Sequence, residues 1–557
     1  MFKALFFSIA FQLVYLCQIQ AGSMMAFSAS DQLRAILETD NAGGKISVKE
    51  VSLGNSEAIH RFYDSRGYQE VWSQNGVLTE LAYELRFEIR QAKFDGLNPA
   101  DYHLSRIEPF FSSFEANKKA NRSNEVTDLA NLDLLLTDAF FELASHLERG
   151  KIDPSKLDSD WEISRKPQKA DYLALLTKSI KEQAIRKNLE MLYPNFSIYK
   201  KGREVIRSLD ELKKKDTIDW KTIKIDKSLK LGESDNSVPA LRQRLYFWGH
   251  LKSLADANSK IYDSVLFIAV KSFQKENGFE PDGAIGKNTL AGLNASPSYL
   301  MDKAAINLER LRWLPDTIRD LEFILVNIAN YQLDYINKLD TVFSSKVIVG
   351  KRYHASPIFS AQMSYIVFSP YWNIPASIAR NEIIPAIRKN PNYLQQKNME
   401  VVTTAGKSVD PSSINWSAKS FPYLIRQKPG GSNSLGLVKF MFPNSHSVYI
   451  HDTPSKSLFE KEDRALSHGC IRLQNPAKFA QLLLKDNPTW TPEKIDQAMH
   501  QDKEQIVNLP RKIPVVLVYL TFWADSTGKP HFRPDIYGRD EELLKRLKNQ
   551  SGLKERN

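Results

Sequence analysis

Apolar residues recur every three or four positions through the first 235 residues and every second position after about residue 320. Leu78, Leu81, Ala82, Leu85, Ile89 and Ala92 mark one helical stripe, closed by Gly96 and Pro99. A second stripe runs from Leu132 to Leu147, with Gly150 and Pro154 beyond it. The polar run around Lys118 reads as a loop. The aromatic segment Phe62 to Ser73 reads as packing between helices. Residues 30–235 therefore read as a mostly helical scaffold domain with no catalytic set; His146 is taken as structural or surface.

Residues 236–297 form a smaller helical unit. Leu241, Leu245 and Trp248 share one side of a first helix, and Leu266, Val270 and Phe273 mark a second. Gly278 stops the second helix, Pro281 to Gly283 make a turn, and Thr289 lies in a third helical stretch. After one more helix the pattern becomes β-branched and aromatic. Strands are expected in "FILVNIANYQLDYI", "TVFSSKVIVGK", "SYIVFSPYWNIP", Leu437 to Phe442, Ser447 to His451 and "KIPVVLVYLTFWAD". Helices are expected at Ala376 to Lys389 and Pro476 to Leu484. Residues 300–545 thus read as a mainly β domain. A weakly patterned stretch at 397–436, rich in Ser, Lys, Gly and Pro, is expected to be a lid.

Length and charge narrow the partners. A chain of 557 residues exceeds one hydrophobic core, so several domains are expected. The net charge of +11 permits an anionic partner, but the bases are dispersed among acids, and nucleic-acid binding is not expected. Met1-Phe2-Lys3 followed by an apolar run to Cys17 and small residues fits a secretory signal over 1–22, with the cleavage site open. That places the protein outside the cytoplasm. Retention of the segment as a membrane anchor is the alternative, although the run is shorter than a membrane-spanning helix requires.

With Cys17 removed, Cys470 would be the sole cysteine, unable to form an internal disulfide. It stands in Ser467-His468-Gly469-Cys470-Ile471-Arg472. A thiol needs a base or cation to become a nucleophile at neutral pH. His451 and His468 are the candidates. Gly469 permits a sharp backbone whose N–H groups can face an oxyanion, and a helix N-terminus just after Cys470 would add to that effect. Zinc binding by Cys470, His468 and His451 is a rival reading, but nothing in the spacing requires it. The Ser-x-x-Lys, Ser-x-Asn and Lys-Thr-Gly elements of serine acyl enzymes do not assemble here.

"HDTPSKSLFEKEDRALSHGCIRLQNP" resembles the active-site segment of the L,D-transpeptidase (YkuD-type) catalytic domain. "AVKSFQKENGFEPDGAIGKNTLAGLN" resembles the three-helix peptidoglycan-binding-like domain, for which a purely structural spacer role is also open. With "SPYWNIPASIARNEIIP" and "PGGSNSLGLVKFMFPN", the chain resembles the large multi-domain subtype. The resemblance implies a fold of β catalytic domain, lid, three-helix module and helical scaffold. It implies Cys470 as nucleophile, His451 as general base, and Gly469 with Cys470 as oxyanion backbone. His468 becomes a supporting or rival base, Ser467 a turn support, and Arg472 a residue that binds or positions or holds a local carboxylate. Tyr371, Trp372, Asn433, Gly436 and Arg464 are candidate substrate contacts, each with a local structural alternative. His446 and His354 are taken as surface residues.

The activity so implied is formation of 3→3 peptidoglycan cross-links through a thioester, with release of D-Ala from a tetrapeptide stem. Trimming of tetrapeptides to tripeptides by an L,D-carboxypeptidase shares the acylation step, and a non-catalytic wall-binding scaffold is the remaining alternative. No cofactor or metal is expected. The implied partners are stem peptides, glycan strands and other wall-synthesis enzymes, and the implied inhibitors are carbapenems. A periplasmic setting and a role in cell shape are implied by the same resemblance.

Overall fold

The computed structural model describes residues 28–39, 45–157, 162, 167–314, 322–338, 340–418 and 420–549. The expected signal segment lies outside the described residues. Among the described residues no helix is long and apolar enough to cross a membrane. The chain divides into two compact units, the first built from residues up to Glu148 with Gln168–Tyr193, the second from Arg149–Pro167 and Pro194–Leu547.

The first unit is helical, with two small ladders, β1 (Ser47–Val48) with β2 (Val51–Ser52) and β3 (Ser73–Gln74) with β4 (Val77–Leu78). Leu78 therefore belongs to a hairpin. The helix expected there starts at Glu80, because the Thr79 side chain accepts the Ala82 N–H and caps it. The polar run around Lys118 is a loop only in its second half: the helix Leu104–Lys119, held by buried Phe110, Phe111 and Phe114, takes in Lys118, and residues 120–125 form the connection to the next helix. The long helix Val126–Arg149 supplies the core. Its buried Asp133 accepts the Tyr63 hydroxyl at 2.5 Å and the Trp72 N–H at 2.9 Å. Burial raises the Asp133 carboxyl to about 6. The aromatic segment thus packs through a polar anchor as well as its rings.

In the second unit, the helix Ser197–Lys214 packs on the helix Pro297–Trp313, so the first compact unit ends near Tyr193 rather than at 235. The three-helix module comprises Val238–Phe247, Ser264–Asn277 and Lys287–Leu293. Leu241, Leu245, Leu266, Val270, Phe273 and Leu293 form its core, with Trp248 partly buried against it. Gln274 explains the motif around it. Its amide donates to Asp282, Ala284 O and Thr289 at 2.9, 2.9 and 3.1 Å, and its carbonyl accepts the Gly283 N–H at 2.8 Å. One buried side chain therefore pins the Pro-Asp-Gly turn to two helices.

The catalytic-type domain is a nine-stranded mixed sheet. Its strands are β5 (Phe323–Asn327), β6 (Gln332–Asn337), β7 (Asp340–Gly350), β8 (Ser360–Phe368), β13 (Val438–Met441), β14 (Ile450–His451), β15 (Ala465–Ser467), β16 (Ile471–Leu473) and β17 (Gln505–Val518). The order is β15-β7-β16-β14-β13-β8-β17-β5-β6, and β6 pairs back to β7, so the sheet closes on itself. Closure removes most free edges. Inside, Val347, Phe440, Ile450, Ile471 and Val515 are essentially unexposed. Phe479, from the helix Pro476–Leu483, stacks on Phe343 at 5.7 Å and meets Phe440 edge-on at 4.8 Å.

Between β8 and β13 a second small sheet is inserted. Its strands are β9 (Trp372–Asn373), β10 (Met399–Val402), β11 (Ser408–Val409) and β12 (Leu424–Gln427), in the order β11-β10-β12-β9. It has its own core, including Ile383, Ile387, Leu394, Val401 and Ile425. The insert thus begins at β9 and takes in the helical turns after Ala376, earlier than the 397 read from composition. A further antiparallel pair, β18 (Phe522–Ala524) and β19 (Pro530–Phe532), lies beyond β17.

Candidate active site

Cys470 sits in the bend between β15 and β16, and His451 ends β14. β14 and β16 are parallel neighbours, with Ile450 opposite Ile471 and His451 opposite Arg472. Alternation then decides orientation. Ile450 and Ile471 turn into the core, both 0 % exposed, so Tyr449, His451, Cys470 and Arg472 share the other face. One strand spacing and two residues of rise put the Cys470 and His451 Cα atoms about 8 Å apart, within reach of their side chains. Nineteen positions of sequence become one diagonal step across a ladder.

The His451 ring is buried and its orientation is defined. Nδ1 lies 2.5 Å from the Asp452 carbonyl oxygen. A carbonyl only accepts, so Nδ1 carries the proton and Nε2 presents a lone pair. Burial first, and then the Arg472 cation, push this imidazole down to about 3, so it is neutral at neutral pH. Asp452 is held in turn. Its carboxylate accepts the Leu437 N–H at 2.9 Å and pairs with Lys456. Gly436, at φ +62, lets the backbone pass against that carboxylate, where a Cβ would overlap Asp452 Oδ2.

The Cys470 thiol is pushed above its ordinary value by burial, an effect opposed by bonds from the Tyr449 backbone and hydroxyl and by the charge of Arg472. Tyr449 was not singled out by sequence reasoning. The signal available was its position two residues before His451 on the same strand, which puts both on one face. Cys470 leads into strand β16, not into a helix N-terminus, so no helix dipole acts on the sulfur. The helix begins only at Pro476, because β16 is needed to pair with both β14 and β7.

The turn itself is braced from both sides. Ser467 Oγ donates to the Cys470 carbonyl at 2.6 Å and accepts the Gly469 N–H at 3.1 Å. This corrects the expected oxyanion role of Gly469: its N–H is already committed to the turn. The Cys470 N–H has no acceptor among the described residues. Gly469 adopts φ +117, a conformation open to glycine. Its carbonyl accepts from Ser356 Oγ at 2.7 Å, while the Gly350 N–H donates to that same oxygen at 3.0 Å. The Tyr537 hydroxyl donates to the Gly350 carbonyl at 2.6 Å. Gly350 and Ser356 lie on the stretch that leaves β7, and Tyr537 lies far along the chain, so no motif around Cys470 reveals them.

His468 is partly exposed and turns to the inserted sheet's helical segment, with Nε2 3.1 Å from Glu382 Oε1. Its ring lies 5.6 Å from that of the exposed His354. Tyr371 donates its N–H to Glu504 at 3.0 Å, and its ring faces Arg426 at 4.3 Å. Trp372 packs against the core of the inserted sheet.

Three candidate substrate contacts do not fit the geometry. Asn433 is 0 % exposed. Its amide donates to the carbonyls of Pro370, Gln427 and Lys428, and its oxygen accepts the Leu435 N–H, so no atom is left for a ligand. Arg464 is spent on the carbonyls of Val347, Lys461 and Tyr331. Gly436 serves Asp452 rather than a cleft. His446 is half-buried beside Phe359 and pairs with Glu162 at 3.0 Å, rather than lying free on the surface. In the first unit, His146 is buried between Tyr102 and Glu142, each at 3.0 Å.

Residues 322–495 match the family model described as L,D-transpeptidase catalytic domain. Residues 234–293 match "Putative peptidoglycan binding domain", and residues 57–205 match "Scaffold domain". A Haemophilus influenzae protein described as "Putative L,D-transpeptidase" is 36 % identical over 248 residues, or 44 % of this chain. The match spans 50 % of that relative's length. Among solved structures, the L,D-transpeptidase of Xylanimonas cellulosilytica (residues 123–326) is similar at 14 % identity and TM-score 0.16, over 53 % of this chain and 100 % of that one. The L,D-transpeptidase of Stackebrandtia nassauensis is similar at 14 % identity and TM-score 0.21, over 52 % and 94 %. The chain thus carries a YkuD-type L,D-transpeptidase catalytic domain together with a peptidoglycan-binding-type helical module and a helical scaffold.

Proposed function

We propose that the protein is a cysteine acyltransferase of the bacterial wall that forms 3→3 cross-links between peptidoglycan stems, acting outside the cytoplasm. The observation that carries this reading is the shared face of β14 and β16, which holds a half-buried thiol and, one strand away, a neutral imidazole whose free nitrogen is Nε2.

Acylation begins from the neutral pair. The Cys470 thiol proton passes to His451 Nε2 as Sγ attacks the carbonyl carbon of the third stem residue. Tyr449 donates a hydrogen bond to the developing thiolate and Arg472 supplies opposite charge. The carbonyl oxygen becomes an oxyanion, for which the Cys470 N–H is the available turn donor. On collapse the amide C–N bond breaks, His451 returns the proton to the leaving amine, and D-Ala departs, leaving a thioester on Cys470. An amine of a second stem then attacks the thioester, gives its proton to His451, and the thiolate leaves. Water in place of the amine gives the hydrolytic outcome. The inserted sheet, joined to the catalytic turn through Glu382 and His468, serves as a lid that disfavours water.

Product analysis tests the reading. The purified chain with a disaccharide-tetrapeptide is expected to release D-Ala and yield a dimer lacking one D-Ala. Tripeptide alone would assign the carboxypeptidase. No D-Ala release under conditions where the protein is folded would overturn the acyltransferase.

A further inference from the structure

Acyl transfer by Cys470 and His451 leaves one group underused. Arg472 is half-buried on the catalytic face, its Nε has no partner, and Cys470 and His451 are the ionisable groups beside it. No carboxylate forms an ion pair with it among the described residues. The contrast with Arg464 on the same segment is direct, since that guanidinium is consumed by backbone carbonyls. A half-buried cation without a counter-charge carries a desolvation cost that an anionic ligand relieves.

Arg472 is not isolated. The register places Lys439 of β13 opposite His451, and His451 opposite Arg472. Lys439, His451 and Arg472 therefore form a row across three adjacent strands on one face. Lys439 is only 16 % exposed, and its one acidic neighbour, Glu504, is 3.8 Å away and 30 % exposed. Glu504 also accepts the Tyr371 N–H. The two cations lie about 10 Å apart at their Cα atoms, one strand to either side of the base. Arg472 is two residues from Cys470, a rise of roughly 6.6 Å.

We propose that this row is a carboxylate receptor. Arg472 binds the free carboxylate of the one residue that follows the scissile carbonyl, with Lys439 as the weaker second cation. The step is short: a single amino acid separates the carbonyl that Sγ attacks from the terminal carboxylate, and Arg472, two residues along the same face from the nucleophile, carries a side chain long enough to reach back over that distance. Arg472 is then a specificity residue. It selects peptides ending one residue beyond the attacked carbonyl and disfavours those that are longer or amidated at the end. This identification of the substrate's end rests on the acyltransferase reading, whereas the receptor for a carboxylate does not.

Two measurements separate the two. The first is the ratio of Cys470 alkylation rates with iodoacetate and iodoacetamide, which differ in a carboxylate. The fraction of thiolate cancels in the ratio. Arg472→Gln is expected to lower the ratio about tenfold relative to the wild type, the loss of a charged hydrogen-bonded contact. Arg472→Lys should keep part of the preference, and Lys439→Gln should lose less than Arg472→Gln. An unchanged ratio in folded Arg472→Gln overturns the proposal. The second measurement compares acylation by a tetrapeptide stem and by its C-terminal amide. The wild type should prefer the acid, and Arg472→Gln should lose that preference. Equal use of both by the wild type would overturn the assignment to the terminal carboxylate. If neither peptide acylates Cys470 while the alkylation ratio still depends on Arg472, the acyltransferase reading fails and the receptor stands.

Discussion

At the scale of single residues, the site works through the protonation state of His451. The free side chain titrates near 6.5, and in the folded protein burial, with Arg472, holds it near 3. Between those values the unfolded chain binds a proton that the folded chain does not. Stability therefore falls as pH drops through that window, by up to about 1.4 kcal/mol per pH unit from this group. His451→Gln removes the contribution. Urea unfolding at a series of pH values should show wild type losing more stability than the variant below 6.5 and the two running parallel above it. Parallel curves throughout would mean that the imidazole is not held neutral by burial. The identities of Cys470 and His451 were legible in the sequence because the motif is contiguous around one and ends a strand at the other. The roles of Tyr449, Ser356 and Tyr537 were not, since each depends on which strand lies beside which. Asn433 and Arg464 are candidate contacts with a local alternative in the sequence, and their hydrogen bonds to backbone groups favour the local one.

At the scale of elements, the catalytic turn is held by close backbone approach. β15 and β16 are three-residue strands on either side of Cys470, too short for a periodic pattern to reveal. The long strands β7, β8 and β17 were readable from their β-branched runs, as were the helices with clear caps. The inserted sheet was read from its loose composition, so its first strand and helical turns were assigned elsewhere. Gly350, at the end of β7, is a position of this hidden kind. A Cβ there would overlap the His354 carbonyl oxygen and lie 3.1 Å from Gly469 Cα. Gly350→Ala must move backbone rather than a side chain. A loss of about 1–3 kcal/mol is expected from overpacking, with alkylation of Cys470 slowed at least tenfold. Gly431→Ala, where the added atom meets open space and the backbone is not left-handed, is the control for the substitution itself. Thermal unfolding and alkylation rates equal to wild type in Gly350→Ala would show that the turn does not depend on this packing.

At the scale of the molecule, the second unit joins the three-helix module to the catalytic-type domain through Arg533. Its Nε donates to Asn330 Oδ1 at 2.8 Å, between β5 and β6, and its Nη1 donates to the Asn277 carbonyl at 3.1 Å. That carbonyl ends the helix Ser264–Asn277, where a cation is favoured. Burial, with Arg464 nearby, draws the guanidinium down to about 10, and it remains charged at neutral pH. The contact gives the module a fixed bearing relative to the site. Arg533→Ala is expected to lower turnover on polymeric peptidoglycan several-fold while changing turnover of a soluble muropeptide less than twofold. Equal loss on both substrates would contradict a positioning role for the module.

The central claim is that Cys470 carries the acyl group, and intact-protein mass measures it most directly. The full chain mixed with disaccharide-tetrapeptide and quenched during turnover should gain the mass of the stem less one D-Ala, on the peptide containing Cys470. Cys470→Ala should be folded, unmodified and inactive. Turnover by the alanine variant, or wild-type turnover with the adduct on any other residue, would contradict the account.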